Sequence, residues 1–320
     1  SLPPQARRVS GVIIYLCCAD EAEARDLEVA LGSLYAHFNR AAGYPVVIFH
    51  DFLREHHKAR LRAVAEPKAL SLHFEYLSSD VFAMPAILSA DKIAQVPKSI
   101  RGYGMGYRHM CRFFSGPVFE SDVLADYEYV WRLDSDSFLL GPPAADPFLE
   151  MAVANATYAW IHAFRDEPLF VTGLWDLTRD FLRARGIDED RVHSWVPGGQ
   201  SWPETPMCFA TNCFLARRSW FTSEPYLSYF RAIDESGGFY RYRWGDACVH
   251  MLAAAALLPR HEVLKLRSVA YWHQGTVRLP ANVGRHAAAV LQGLPLPPFS
   301  AEYVSAPPAA SHPTLSPPVS

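Results

Sequence analysis

The chain has 320 residues, 50% apolar and 20% charged, with 25 Pro and 18 Gly, and its 30 basic against 33 acidic residues leave a net charge of −3. That length supports a substantial core, and the composition excludes disordered and fibrous classes. Bulk nucleic-acid binding is excluded as well, because neutralising many phosphates needs a basic surplus, although a local basic groove is compatible with the balance. The longest apolar stretch near the start, Gly11 to Ala19, is about half of the ~20 residues a membrane helix needs.

Val12 to Cys18 is a continuous apolar run rich in β-branched residues, read as a buried strand. Asp20, with Glu23 three residues on, is placed to cap a helix carrying Leu27, Ala30, Leu31, Leu34, Tyr35 and Phe38 at helical spacing. A loop from Asn39 to Tyr44 precedes a second strand, Pro45 to Phe49. The polar run Arg54 to Glu66 predicts a helix and Leu70 to Tyr76 a third strand. This alternation predicts a parallel sheet covered on both faces.

Tyr107 to Gly116 mixes cations, aromatics and a Cys in one helical stretch, where Arg112 is suited to grip phosphate and Tyr107 to stack on a base. The same pattern also fits a helix packed through Met110, Phe113 and Phe114 with its arginines in water. Tyr127 to Leu133 predicts a strand that runs directly into Asp134-Ser135-Asp136. Two carboxylates one residue apart can both reach a hard divalent cation, and the carboxyl end of a strand is where open α/β sheets bind ligands. A solvated turn capping the next element would have the same pattern.

Tyr158 to His162 is a further apolar run beside a glycosylation sequon at Asn155, and Leu174 to Arg185 and Tyr226 to Ser236 have helical patterns. Ala247 to Leu258 predicts a buried Ala/Leu-rich helix that begins after Trp244-Gly245-Asp246. Asp246 is placed to cap it, and His250 shares a helix face with Asp246, a position more typical of a core histidine than of a ligand. His273, after a short apolar run, is a candidate third metal ligand beside two acids. The six cysteines, 17, 18, 111, 208, 213 and 248, form no CxxC pair and leave room for one or two disulfides. Beyond about Leu291 the sequence turns to Pro, Ala and Ser, so the expected organisation is one domain over 1–291 and a Pro-rich tail over 292–320.

Five ordered blocks resemble one family, the fungal α-1,2-mannosyltransferases of glycosyltransferase family 15. Phe38-Asn39-Arg40 with Tyr44 to Phe49 is similar to its "FNR…YPWVFLND" block, Tyr107 to Gly116 to "YxxMCRWYSG", and Tyr127 to Phe138 to "YKYYWRVEPxVxF". Gly237 to His250 is similar to "GGFFYERWGDAPVH", and Tyr271-Trp272-His273 to "YYH". The resemblance implies a glycosyltransferase-A fold, one α/β domain with a central mixed sheet flanked by helices.

It also implies a retaining, metal-dependent transfer of mannose from GDP-mannose to a glycan hydroxyl, with Mn2+ or Mg2+ held by Asp134, Asp136 and His273. Tyr107, Arg112 and Asp134 fall in the donor-binding blocks, Asp246 and Arg243 are the catalytic candidates, and Trp244 and Tyr240 are the acceptor-binding ones. The expected partners are a nucleotide-sugar donor and a glycan acceptor, with no nucleic acid. The expected setting is the Golgi lumen, the full-length protein being a type II membrane protein whose anchor has been removed from this chain. Departures from the family pattern are the usual DxD in place of its Glu-Pro, Cys18 in place of an Arg, and Phe214 in place of the Glu proposed as nucleophile or base. They motivate two alternatives: the same fold with another nucleotide-sugar, or a glycan-binding protein without catalysis.

Overall fold

A computed structural model describes residues 9–279 apart from 19 and 67–71. The first apolar run forms β1 (Gly11–Cys17), buried along its whole length. The Asp20 carboxylate accepts the N–H groups of Ala22 and Glu23 and so starts α1 (Glu21–Leu34). Glu23 bonds the backbone N–H of Cys18, at 3.0 Å, so the carboxylate also clamps the strand end to the helix. Helical turns continue to Ala42, four residues into the expected loop, and stop at Gly43 with φ 68°. Buried Asn39 explains the extension: its amide both donates to and accepts from the Tyr44 backbone, at 2.8 Å each. β2 (Val46–His50), α2 (Glu55–Ala65) and β3 (Leu72–Tyr76) follow as the pattern predicts.

Further along come α3 (Met105–Ser115), β4 (Tyr129–Leu133), β5 (Ser137–Leu139), β6 (Tyr158–Trp160) and β7 (Ala163–Arg165). After them lie α4 (Leu174–Ala184), β8 (Met207–Phe209), β9 (Cys213–Arg217) and α5 (Glu224–Ser236). The described chain closes with α6 (Asp246–Leu257), β10 (Val263–Lys265), β11 (Tyr271–His273) and β12 (Thr276–Arg278).

Seven strands form the central sheet in the order β10-β6-β9-β4-β1-β2-β3. It is mixed rather than wholly parallel, because β9 runs antiparallel to both β4 and β6 while β1, β2, β3 and β4 are parallel. Local apolar patterning reports burial and not strand direction, so only the resemblance carried the mixed sheet. Leu27, Leu31 and Trp131 lie in a core on one face, and Phe49, Phe114 and Phe214 in a core on the other. Each such side chain stabilises the fold by about 1.5–3 kcal/mol.

α6 is buried on almost every side, as its Ala/Leu composition predicts, and a disulfide joins its Cys248 to Cys208 on β8. No helix among the described residues is long and apolar enough to cross a membrane. The expected tail over 292–320 lies outside the described residues.

Candidate active site

A cleft of about 2200 Å3 opens at the carboxyl ends of β1 and β4 and extends past β6 and β10. Arg132 on β4 points into it, and the chain then turns sharply, the Ser137 N–H returning to the Asp134 carbonyl at 2.9 Å. This turn puts the carboxylates of Asp134 and Asp136 on the cleft wall, and β5 carries Ser137 against β11 in register with His273. Ligand atoms of Asp134, Asp136 and His273 all lie within 4.8 Å of one another. His273 Nδ1 is 3.1 Å from Asp136 and 3.2 Å from the Ser137 hydroxyl.

The β11–β12 hairpin turns on Gln274 and Gly275, both left-handed, at φ 45° and 78°. That turn aims the Gln274 amide at Asp136, which accepts from it at 3.0 Å. Burial works against the Asp136 charge, but His273 and these hydrogen bonds outweigh it and hold the carboxyl below its ordinary value. Burial likewise works against a charged His273, and the two aspartates outweigh it and raise the imidazole. For Asp134 burial wins over Arg132 and His273, and its pKa is raised. Two carboxylates and one imidazole suit manganese or another oxygen- and nitrogen-seeking divalent ion.

Arg132 is the residue that local patterning missed. It is 2% exposed, donates to Asp134 at 2.9 Å and to Asp246, and lies 3.4 Å over the Phe114 ring. Asp246 opens α6 and lines the same cleft. Burial disfavours its charge, but Arg132, His250 and Thr211 outweigh this and hold its pKa low, so it is ionised. His250 follows the core reading: it is fully buried between the Phe114 carbonyl and the Tyr158 hydroxyl, and burial lowers it to about 4.

Arg243 also lines the cleft, in a left-handed conformation at φ 66° that a non-glycine residue rarely adopts. Its guanidinium donates to the Tyr107 hydroxyl at 2.7 Å and to Asp166 at 3.3 Å. Tyr103, Tyr107 and Phe170 surround it, with ring centres 4.1, 4.7 and 4.2 Å away. Tyr107 therefore reaches the cleft both directly and by fixing Arg243.

Three expected contacts fall elsewhere. Arg112 turns away from the cleft into a two-toothed pair with Asp234, at 2.7 and 2.9 Å, so it does not line the donor site. Tyr240 is fully buried and donates to the Ala83 carbonyl, and Trp244 is 2% exposed with its indole N–H on the Thr172 carbonyl. Neither lines the cleft. The Trp244 ring fills the space beside Gly238, where a Cβ would lie 2.1 Å from it, which accounts for a glycine at that position. A helical or glycine-flanked motif locates such residues near a site without saying which way they point.

Phe214 also points away from the cleft, stacked on Tyr158 at 5.5 Å and edge-on to His250 at 5.1 Å. Cys18, by contrast, lines the cleft.

The glycolipid 2-alpha-mannosyltransferase family profile matches residues 2–287. This chain belongs to that glycosyltransferase family. It is 27% identical over 276 residues to glycolipid 2-alpha-mannosyltransferase 1 of Candida albicans, covering 84% of this chain and 64% of that protein. It is 32% identical over 200 residues to alpha-1,2 mannosyltransferase KTR1 of Saccharomyces cerevisiae, covering 60% of this chain and 51% of the relative. The chain thus spans about two thirds or less of the length of these two relatives. Among solved structures, core-mannan synthase A from Aspergillus fumigatus in its Mn/GDP form superposes with a TM-score of 0.76 at 24% identity, covering 87% of this chain and 78% of that one. That likeness establishes the glycosyltransferase-A fold, with the mixed sheet and flanking helices described above.

Proposed function

We propose that this family member is a retaining, metal-dependent α-1,2-mannosyltransferase that moves mannose from GDP-mannose to a hydroxyl of a glycan acceptor. The observation that carries the reading is the convergence of Asp134, Asp136 and His273 on one point of the cleft, in a chain of this family. Manganese and GDP are the groups named for the Aspergillus structure, and GDP-mannose and Mn2+, or Mg2+, are the donor and ion proposed here. The proposed setting is the Golgi lumen, with a membrane anchor preceding this chain.

Asp134, Asp136 and His273 would hold the ion, which when bound neutralises the diphosphate and stabilises it as a leaving group. Arg132 and Ser137 fix two of those ligands before anything binds, so little reorganisation is needed during reaction. Arg243, locked between Asp166 and Tyr107, presents a positive charge to the donor phosphates. Asp246 stays ionised beside Arg132, where it orients the acceptor hydroxyl or steadies the cationic sugar in the transition state.

With Phe214 in the core, no carboxylate at that position is available to form a covalent sugar intermediate. Attack from the face of the leaving group accounts for retention. The acceptor oxygen forms its bond to the anomeric carbon as the bond to the diphosphate breaks, and the departing phosphate takes the hydroxyl proton. Because Phe214 does not line the cleft, its presence removes neither the ion ligands nor Asp246, which favours turnover over a purely glycan-binding role.

The test is a panel of nucleotide-sugars with manganese and simple mannosides, read by product mass. Mannosyl transfer from GDP-mannose that disappears in Asp136→Ala supports the reading; a different preferred donor, or undiminished turnover in Asp136→Ala, would overturn it.

A further inference from the structure

We propose that the end of the cleft beyond His162 is an acceptor subsite for an anionic group, a phosphate or carboxylate carried by the acceptor glycan, built from Lys265, Arg267 and Arg278 with Arg260 beside them. The inference rests on the reading of this cleft as a mannosyltransferase site. All four cations line the cleft, from the edge strand β10, the loop after it, β12, and the turn before β10.

Pairing distinguishes them from the other cleft arginines. Arg132 is paired with Asp134 and Asp246, Arg243 with Asp166, and Arg101 with Glu167. Among the described residues, Arg260, Lys265, Arg267 and Arg278 have no carboxylate within 4.0 Å. Arg278 Nε is buried without an acceptor among the described residues, and the neighbouring positive charges of Arg267 and Arg278 add to burial in lowering the Lys265 pKa. Like charges gathered without counter-charges repel one another, and an anion placed among them relieves that repulsion.

The cations are also held in place. Lys265 lies 5.0 Å over the Trp160 ring and Arg260 lies 4.2 Å over Trp195, and both indoles pack on Phe209. That shelf limits the freedom the two long side chains would otherwise lose on gripping a ligand. His162 lines the cleft within reach of Arg278 and Lys265 on one side and His273 on the other. Burial, with Arg278, His273 and Lys265 adding to it, drives its pKa to about 3 and keeps it neutral between the two. Arg260, Lys265 and Arg267 lie at the β10 edge of the central sheet, next to β6, and Arg278 lies on β12 beside β11. The proposed ion ligands lie in the turn after β4 and on β11, so the anion addressed at the β10 edge is that of the acceptor.

The experiment titrates the manganese- and GDP-saturated protein with methyl α-mannoside, its 6-phosphate, mannose α-1-phosphate and the methyl mannosiduronate, read by calorimetry and Trp fluorescence. At low salt at least one anionic mannoside is expected to bind about tenfold tighter than the neutral one, and the preference to fall below about threefold in about 0.5 M salt. The same loss is expected in Lys265→Gln/Arg267→Gln, whose exposed positions leave unfolding temperature unchanged. The phosphate and carboxylate arms identify which anion is preferred. Equal binding of neutral and all anionic mannosides overturns the proposal, as does a double variant that weakens GDP while keeping the anionic preference. Absence of mannosyl transfer to every acceptor would count against the activity instead, since the binding preference is read without turnover.

Discussion

Arg132 and Asp246 form an ion pair that is 2% and 5% exposed at the side chains, and through it the first acid of α6 is tied to the strand that carries the DxD turn. The same guanidinium holds Asp134, so one buried cation sets the relative positions of the proposed ion ligand and the proposed catalytic acid. Continuity of charge between the two carboxylates makes their substitutions interdependent.

Asp246→Asn leaves Arg132 with only Asp134 to balance its buried charge. Unfolding free energy is expected to fall by about 3 kcal/mol, in the range for breaking one partner from a buried pair. Turnover is expected to fall further than stability alone explains, because the amide carries no charge. Denaturant unfolding read beside kcat on the folded fraction separates the two effects.

Manganese affinity is expected to fall as the medium is acidified. The aspartates raise His273, so its imidazole holds a proton to higher pH than usual, and an ion must displace that proton to bind. Below the raised pKa, affinity should drop by about tenfold per pH unit for one displaced proton. Without metal the sign is opposite for His273: its raised folded pKa contributes stability that is present in acid and lost as pH rises through it. Calorimetric titration of manganese from pH 5 to 8 checks the first, with Gln in place of His273 abolishing the slope.

Phe214→Leu is expected to cost about 1 kcal/mol of stability by thinning the stack on Tyr158, with kcat unchanged. A large loss of turnover at unchanged stability would place Phe214 in the reaction, against its position in the core.

Gly238→Ala puts a methyl group where a Cβ lies 2.1 Å from the Trp244 ring. Displacing that indole is expected to cost about 2 kcal/mol and to disturb the neighbouring left-handed Arg243, lowering kcat. Thermal unfolding and steady-state rates on the same sample measure both.

Much of the local structure was legible in the chain. Asp20 capped the predicted helix, the apolar runs at Val12 and Val46 became buried strands, and the Ala/Leu run after Asp246 became a buried helix. Residue type and position at element ends made the DxD turn, His273 and Asp246 candidates, the family resemblance gave them site roles, and the tertiary structure gathers them into one cleft. The outcome differed where direction rather than element type mattered. Arg112, Tyr240 and Trp244 lie in the right blocks but bond Asp234, Ala83 and Thr172 instead of facing the cleft.

Sequence alone thus determined the alternation of elements, the absence of a bulk basic surface and the presence of a carboxylate pair at a strand end, because these follow from composition and periodicity. Only the tertiary structure decided that β9 enters antiparallel, that Cys208 pairs with Cys248, and that Arg132 bridges two acids 112 positions apart. Each of these joins residues distant in the chain, and the energy of a buried contact depends on which partner arrives, which spacing along one strand or helix does not record. The charge balance of −3 likewise concealed a divided cleft, with acids gathered around His273 and, at Lys265, Arg267 and Arg278, cations with no carboxylate partner among the described residues.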